Sequence, residues 1–191
     1  MYLSNSVNLK GEVGVNNIKK VIGFTKVDLP YGWLGNMSPF WIEHEGKRYR
    51  STEALFQCLR FDGCPQAERE LAVKEIMAEP SPMIAKNKAK SHRKKLGFNK
   101  ADIGNEEDIA RMKFCLKLKL QQHPHLVGKL LYTKDAFIVE DCTAMKKSST
   151  GEIWGARLVN NEWVGRNLVG KLWMELREEF RMEAEKSVAS N

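Results

Sequence analysis

The sequence predicts an α+β fold, a mostly helical single domain with a few short strands. Two observations point there. The longest patterned segments, at residues 105–122 and 167–180, carry helical periodicity and end signals. The apolar runs that suit strands are short and scattered, near Val21, Phe40 and Lys47 early and Ala136 late. That pattern lacks the regular strand–helix alternation of a parallel α/β sheet. No internal repeat and no low-complexity segment is present.

The elements follow in order. Residues 1–19 are polar with scattered glycine and read as an arm. Val21–Phe24 reads as a strand, and Pro30–Asn36 as a loop rich in glycine and aromatics. Phe40–Glu43 and Lys47–Tyr49 flank Glu45-Gly46 as a hairpin. A helix starts near Ser51, with Ser51 or Thr52 as its cap. A second spans Gln66–Ala78 and stops before Pro80. Ser81-Pro82 opens a third, with serine capping and proline in the first turn. Asn105 caps the fourth, whose first turn holds Glu106, Glu107 and Asp108 while lysines crowd the later turns, an order that suits the helix dipole. Ile109, Met112, Leu116 and Leu120 form its core stripe. Pro124 ends it and opens a short helix through Leu131; Ala136–Glu140 is a strand. The last helix runs from Asn167 to Phe180, with Leu168, Leu172, Leu176 and Phe180 on one face, and the tail after Met182 is expected to fray. The domain is thus expected over 20–182, between the arm and a tail at 183–191.

The chain has 191 residues, 42% of them hydrophobic, enough for a sizeable core. No apolar run is long enough to span a bilayer, and a soluble, cytoplasmic protein is expected. Cys58, Cys64, Cys115 and Cys142 lack metal-ligand spacing and read as free thiols. His123 and His125 flank Pro124 and read as a helix end rather than a metal site. The net charge is +7, which favours an anionic partner. Lys86, Lys88, Lys90, Arg93, Lys94 and Lys95 concentrate that charge. Either a solvated surface or a phosphate-contacting face explains them, and Lys86, Lys88, Lys90, Arg93 and Lys94 are the candidate nucleic-acid-binding residues.

The most informative run is Ser51–Arg60. Glu53, Gln57 and Arg60 fall at i, i+4 and i+7, so an acid, an amide and a cation share one helix face. Leu55, Phe56 and Leu59 form an apolar face beside them. Such a helix can wall a pocket, and Ile153-Trp154-Gly155 with Gly165–Gly170 is expected to supply the opposite wall. The bland alternatives are also physical. Glu53 favours a helix dipole, Trp154 suits a core, and Asn167 is a natural cap. Backbone N–H groups at Gly165-Arg166-Asn167 can otherwise hold phosphate. Tyr31, Trp33 and Asn36 offer aromatic and amide groups from the early loop. No Gly-rich phosphate loop of the Rossmann or P-loop kind and no Ser-His-Asp arrangement is evident.

Taken in order, several segments resemble the NADAR superfamily over residues 22–180. They are Tyr31-Gly32-x-Leu34-Gly35-Asn36, Gly46-Lys47-x-Tyr49-x-Ser51-Thr52-Glu53-x-x-Phe56-Gln57, Pro82-Met83-x-Ala85 and Lys119-x-x-Gln122-x-Pro124-x-Leu126. Leu130-Leu131, Val139-Glu140, Trp154-Gly155, Gly165-x-Asn167-x-x-Gly170 and Met174–Arg177 complete them. The resemblance implies an N-glycosidase. Known members remove ADP-ribose from guanine in nucleic acid or cleave phosphorylated riboflavin-pathway intermediates. Breaking a ribose–nitrogen bond builds positive charge on the sugar, which a carboxylate stabilises. By resemblance Glu53 takes that role, with Arg60 and Glu152 as further catalytic candidates. Tyr31, Trp33, Asn36, Phe56, Gln57, Trp154, Gly155, Arg166 and Asn167 are the substrate-binding candidates. Arg60 stands where the family pattern has lysine, and Gly151 where it often has aspartate, with Glu152 adjacent. The expected partner is ADP-ribosylated DNA or an ADP-ribose-like nucleotide, with no metal, redox cofactor or membrane. A protein that binds ADP-ribose without cleaving it, and a glycosidase for riboflavin intermediates, are the alternatives.

Overall fold

The computed structural model describes residues 20–98, 102–145 and 149–189. The expected arm at 1–19 lies outside them. The elements in chain order are β1 (Val21–Phe24), a 3-10 turn (Gly32–Leu34), β2 (Ile42–His44), β3 (Lys47–Tyr49), α1 (Thr52–Leu59), α2 (Gln66–Ala78), α3 (Pro82–Lys95), α4 (Glu106–Gln122), α5 (His125–Tyr132), β4 (Phe137–Glu140), α6 (Ser149–Trp154), β5 (Arg157–Val159), β6 (Glu162–Val164) and α7 (Leu168–Ala189). This is the α+β, mostly helical architecture the sequence predicts. The chain divides into a central unit, Asn36–Pro124, and a terminal unit formed by the segments before and after it.

In the central unit, β2 and β3 pair antiparallel with Ile42 opposite Tyr49. Glu45 and Gly46 make the turn with φ of 49° and 69°, the left-handed pair that a tight hairpin needs. Ser51 Oγ then accepts from the Ala54 N–H at 3.3 Å and starts α1. Helix α1 packs against α2, α3 and α4. Every residue from Thr52 to Cys58 is buried, so the expected polar face is as interior as the apolar one. Ser81 Oγ accepts from the Ile84 N–H at 3.4 Å and Asn105 Oδ1 from the Asp108 N–H at 2.9 Å, starting α3 and α4. Met112, Leu116 and Leu120 form the α4 core as expected, but Ile109 is only half-buried and Asp108, Cys115 and Lys119 share the interior. The Gln122 amide extends the hairpin. It donates to the Glu43 carbonyl at 2.7 Å and accepts from the Glu43 N–H at 2.8 Å.

In the terminal unit, β1 pairs parallel with β4, Val21 opposite Phe137. Helix α7 lies on β4 and also packs against α5 and α6. Trp173 is wholly buried, donates from Nε1 to the Leu34 carbonyl at 2.9 Å, and meets the Trp33 ring edge-on at 5.9 Å. Arg177 Nη1 donates to Thr133 Oγ1 and the Ala136 carbonyl, both at 2.9 Å, holding α7 to the connection between α5 and β4.

Three expectations are corrected. The hairpin β5–β6 was not foreseen; its signal is Asn160-Asn161, both at positive φ, since asparagine tolerates the left-handed turn. Helix α6, Ser149–Trp154, was likewise not foreseen. Helix α7 passes Phe180 and continues exposed to Ala189 instead of fraying after Met182, because Glu183–Lys186 are strong helix formers.

Gly170 sets how closely α7 approaches β4: a Cβ there would sit 2.2 Å from the Ile138 carbonyl oxygen. Gly170→Ala is therefore expected to lower the urea-unfolding free energy by about 1–3 kcal/mol or more, even though alanine is the better helix former.

Candidate functional site

The central unit gathers a polar cluster around Glu53. The Gln57 amide, one turn along α1, donates from Nε2 to Glu53 Oε1 at 2.8 Å. Lys86 Nζ, from α3, stands 3.7 Å from the same oxygen. Glu53 is 4% exposed, and its Oε2 takes no hydrogen bond from the described residues. The Glu53 N–H donates to the Asn36 carbonyl at 2.9 Å. The Asn36 amide in turn donates to the Met112 sulfur at 3.4 Å, while its Oδ1 is buried with no donor among the described residues. The structure thus brings Asn36, Glu53 and Gln57 together.

Arg60 is placed differently. Its Nε donates to Asp108 Oδ1 at 2.7 Å and its Nη2 to Asp108 Oδ2, a two-point pair with both side chains under a tenth exposed. Asp108 also accepts from the Gly104 N–H at 2.9 Å. The guanidinium lies 4.3 Å from the centre of the Phe56 ring, and Phe56 is 2% exposed. Arg60 and Phe56, expected in the catalytic and substrate sets, are therefore a braced interior cation and a core ring. A guanidinium, which stays protonated, has no nucleophilic lone pair to offer.

The basic run of α3 separates by helical rotation. Ala85, Ala89 and His92 face the core. Lys86 turns to Glu53, and Arg93 Nη1 donates to Gln57 Oε1. Lys88 pairs with Glu79 at 2.5 Å. Lys90 and Lys94 remain exposed, as does Lys95. Of the five candidate nucleic-acid contacts, Lys86, Lys90, Arg93 and Lys94 thus share one side of the helix at i, i+4, i+7 and i+8, with Lys88 on another, and only Lys90 and Lys94 of them are exposed. Burial first, and the Arg60 charge second, push the Arg93 guanidinium down to about 10. Burial, then the Glu53 charge, pushes the neighbouring Cys115 thiol well up, which leaves it an inert thiol.

In the terminal unit the candidates are mostly structural. Asn167 has φ 49° and is 3% exposed. Its Nδ2 donates to the Ile138 carbonyl at 2.9 Å and its Oδ1 accepts from the Glu140 N–H at 3.1 Å, so both ends of the amide clamp β4. Two of the three backbone N–H groups expected to hold phosphate are engaged: Arg166 donates to the Glu152 carbonyl at 2.7 Å and Asn167 to the Gly155 carbonyl at 3.0 Å. The Arg166 side chain is exposed. Gly155 permits close packing, since a Cβ there would lie 2.4 Å from the Glu140 carbonyl oxygen. Trp154 is 8% exposed, and the Glu152 carboxylate pairs with Arg157 Nε at 3.3 Å. Tyr31 and Trp33 line a cavity of about 500 Å³ with Lys20, Lys129 and Tyr132.

The NADAR domain profile matches residues 23–181. The chain belongs to the NADAR domain family. This NADAR domain is 29% identical over 163 residues to the protein named N-glycosidase YbiA of Escherichia coli (strain K12), covering 85% of this chain and 90% of that one. It is 38% identical over 71 residues to N-glycosidase R617 of Acanthamoeba polyphaga mimivirus, covering 33% of this chain and 38% of the viral one. The NMR structure of E. coli YbiA superposes with a TM-score of 0.63 at 27% identity, covering 87% of this chain and 88% of that one.

Sequence reasoning missed two buried charges of this NADAR domain, Asp108 and Lys119. Both were read as dipole-compensating residues at the ends of α4. Their signal was register: Asp108, Met112, Cys115 and Lys119 follow i, i+4, i+7 and i+11, so the core stripe runs through them. Lys119 is wholly buried, donates to Ser38 Oγ at 2.7 Å, and lies 4.9 Å from the Phe40 ring centre.

Two outcomes are expected. Asp108→Ala leaves Arg60 buried and unpaired, and is expected to cost about 3–5 kcal/mol in urea unfolding, most of it recovered in Arg60→Met/Asp108→Leu. Burial pushes the Lys119 ammonium down to about 7. An unfolded lysine keeps its proton to about 10.4, so between these values the unfolded state binds more protons and stability rises with pH. Below the folded value this contribution is flat. The wild type is expected to gain stability relative to Lys119→Met from roughly pH 7.5 to 9.5, by at most about 1.4 kcal/mol per pH unit.

Proposed function

We propose that this NADAR domain is an N-glycosidase that hydrolyses the bond between a ribose anomeric carbon and nitrogen, with ADP-ribosylated guanine in DNA as its first substrate. The observation that carries the reading is the buried Glu53 carboxylate, fixed at Oε1 by Gln57 and unengaged at Oε2 among the described residues. The names of the relatives support the reaction class.

The chemistry follows from that geometry. The carbon–nitrogen bond breaks with its electron pair leaving on nitrogen, and positive charge develops on the sugar. Water adds to the anomeric carbon, and the proton it sheds balances the departing nitrogen. A carboxylate in a site of low polarity stabilises the cationic sugar and accepts the proton from water. Because Gln57 holds Oε1, Oε2 is the oxygen left for this work. Arg60 takes no part as a nucleophile, since both its carboxylate-facing donors bind Asp108.

One observation favours the second reading, a phosphorylated riboflavin-pathway intermediate. Lys86 and Lys88 are spent on Glu53 and Glu79, and Arg93 is drawn inward to Gln57, so the outer surface of α3 offers a polyanion less than the sequence suggests. Mass spectrometry on a short DNA carrying ADP-ribosylated guanine, run beside the phosphorylated intermediates, separates the two. The wild type is expected to release the sugar from at least one, and Glu53→Gln to lower kcat about 10²–10³-fold at an unchanged Tm. Undiminished turnover in Glu53→Gln overturns the assignment. Tight ADP-ribose binding with no turnover of any substrate makes the domain a sequestering protein.

A further inference from the structure

We propose that Arg93 binds the phosphate of the substrate, and that it rather than Arg60 is the cation of the Glu53 cluster reserved for a ligand. The inference rests on the ribosyl-substrate reading above and names the part of that substrate which the cluster recognises.

The two arginines differ in how they are satisfied. Arg60 meets a carboxylate at two points and is electrically closed. Among the described residues, Arg93 meets only a neutral amide oxygen, through Nη1. Its Nε and Nη2 take no acceptor among the described residues. The charged groups that influence it are Arg60, Asp108 and Glu53. Asp108 is already bound to Arg60, and Glu53 is separated from Arg93 by the Gln57 side chain. A half-buried guanidinium without a carboxylate partner is costly, and an anion that docks on it removes that cost. The planar fork of donors suits a phosphate at two points, which a lysine would meet only as a point charge. Burial has lowered its proton affinity, yet it stays charged at neutral pH.

The two groups belong to one cluster. The Gln57 amide links the Arg93 guanidinium to the Glu53 carboxylate through one hydrogen bond at each end. A sugar bound at Glu53 therefore lies beside the cluster that holds Arg93. The same contact orders the catalytic side: Arg93 fixes the Gln57 oxygen towards itself, so the Gln57 N–H is the end that faces Glu53.

The test is calorimetric and needs no turnover. Ribose, ribose 5-phosphate and ADP-ribose are titrated into wild type, Arg93→Met, Arg93→Lys and the exposed Lys95→Met. Wild type and Lys95→Met are expected to bind ribose 5-phosphate at least tenfold tighter than ribose. Arg93→Met is expected to lose that preference while keeping its affinity for ribose, and Arg93→Lys to regain part of it. Stronger discrimination for ADP-ribose than for ribose 5-phosphate assigns Arg93 to a diphosphate. A wild type without phosphate preference, an Arg93→Met that keeps it, or one that weakens ribose and ribose 5-phosphate equally overturns the proposal. Phosphate preference without hydrolysis would sink the glycosidase reading and leave this one standing.

Discussion

Helix α1 is buried on every side, and it carries an acid, an amide and a cation into the interior. Each of these groups demands a partner there, because an unanswered polar side chain in a dry core costs more than a paired one contributes. Those partners come from α3 and α4. Arg93 answers Gln57, Lys86 approaches Glu53, and Asp108 answers Arg60. The central unit is therefore arranged around a polar helix, and the apolar residues Leu55, Phe56 and Phe61 fill the space that the network leaves. A buried ion pair adds little net stability over an apolar substitute, so Arg60–Asp108 is better understood as orienting α4 against the end of α1.

That arrangement changes what the charge of the chain means. Read along the sequence, Lys86–Lys95 is a block of positive charge without an acid. On a helix, successive residues turn by about 100°, and the block divides into two sides, Lys86, Lys90, Arg93 and Lys94 on one and Lys88 and Lys95 on another. The inward face carries Ala85, Ala89 and His92, the adjoining flank sends Lys86 and Arg93 to α1, and Lys90, Lys94 and Lys95 stay in solvent. The acids that compensate the run were absent from its own segment but present in Glu53, Glu75 and Glu79 of neighbouring turns and helices.

Local signals in the sequence were enough to place most elements. Ser51, Ser81 and Asn105 cap the helices they were expected to cap, and Glu45-Gly46 makes its hairpin, since these devices act within four residues. The Glu53–Gln57 contact was legible for the same reason, being one helical turn long. What stayed hidden depends on residues far along the chain. Asp108 and Lys119 looked like dipole partners until α4 was seen packed with that stripe inward. Asn167 looked like a cap or a phosphate ligand, but its left-handed backbone turns the amide onto β4. Trp154, Gly155 and Gly170 carry packing constraints that no spacing rule along one segment reveals.

The arginine at position 60 then ceases to be an anomaly. A lysine there would hold one transferable proton and, once neutral, a lone pair able to form an imine with an opened sugar. Arginine keeps its proton and forks onto Asp108, so it contributes rigidity and fixed charge. Its positive field, felt at Arg93, is partly offset by Asp108 and Glu53, which lets the second arginine stand nearby. Under the glycosidase reading the reaction must then run through Glu53 and water rather than through a covalent sugar–enzyme adduct at position 60. On that reading the arginine and Asp108 are two halves of one feature: the chemistry would rest on a carboxylate held by an amide, with the covalent option closed by an ion pair.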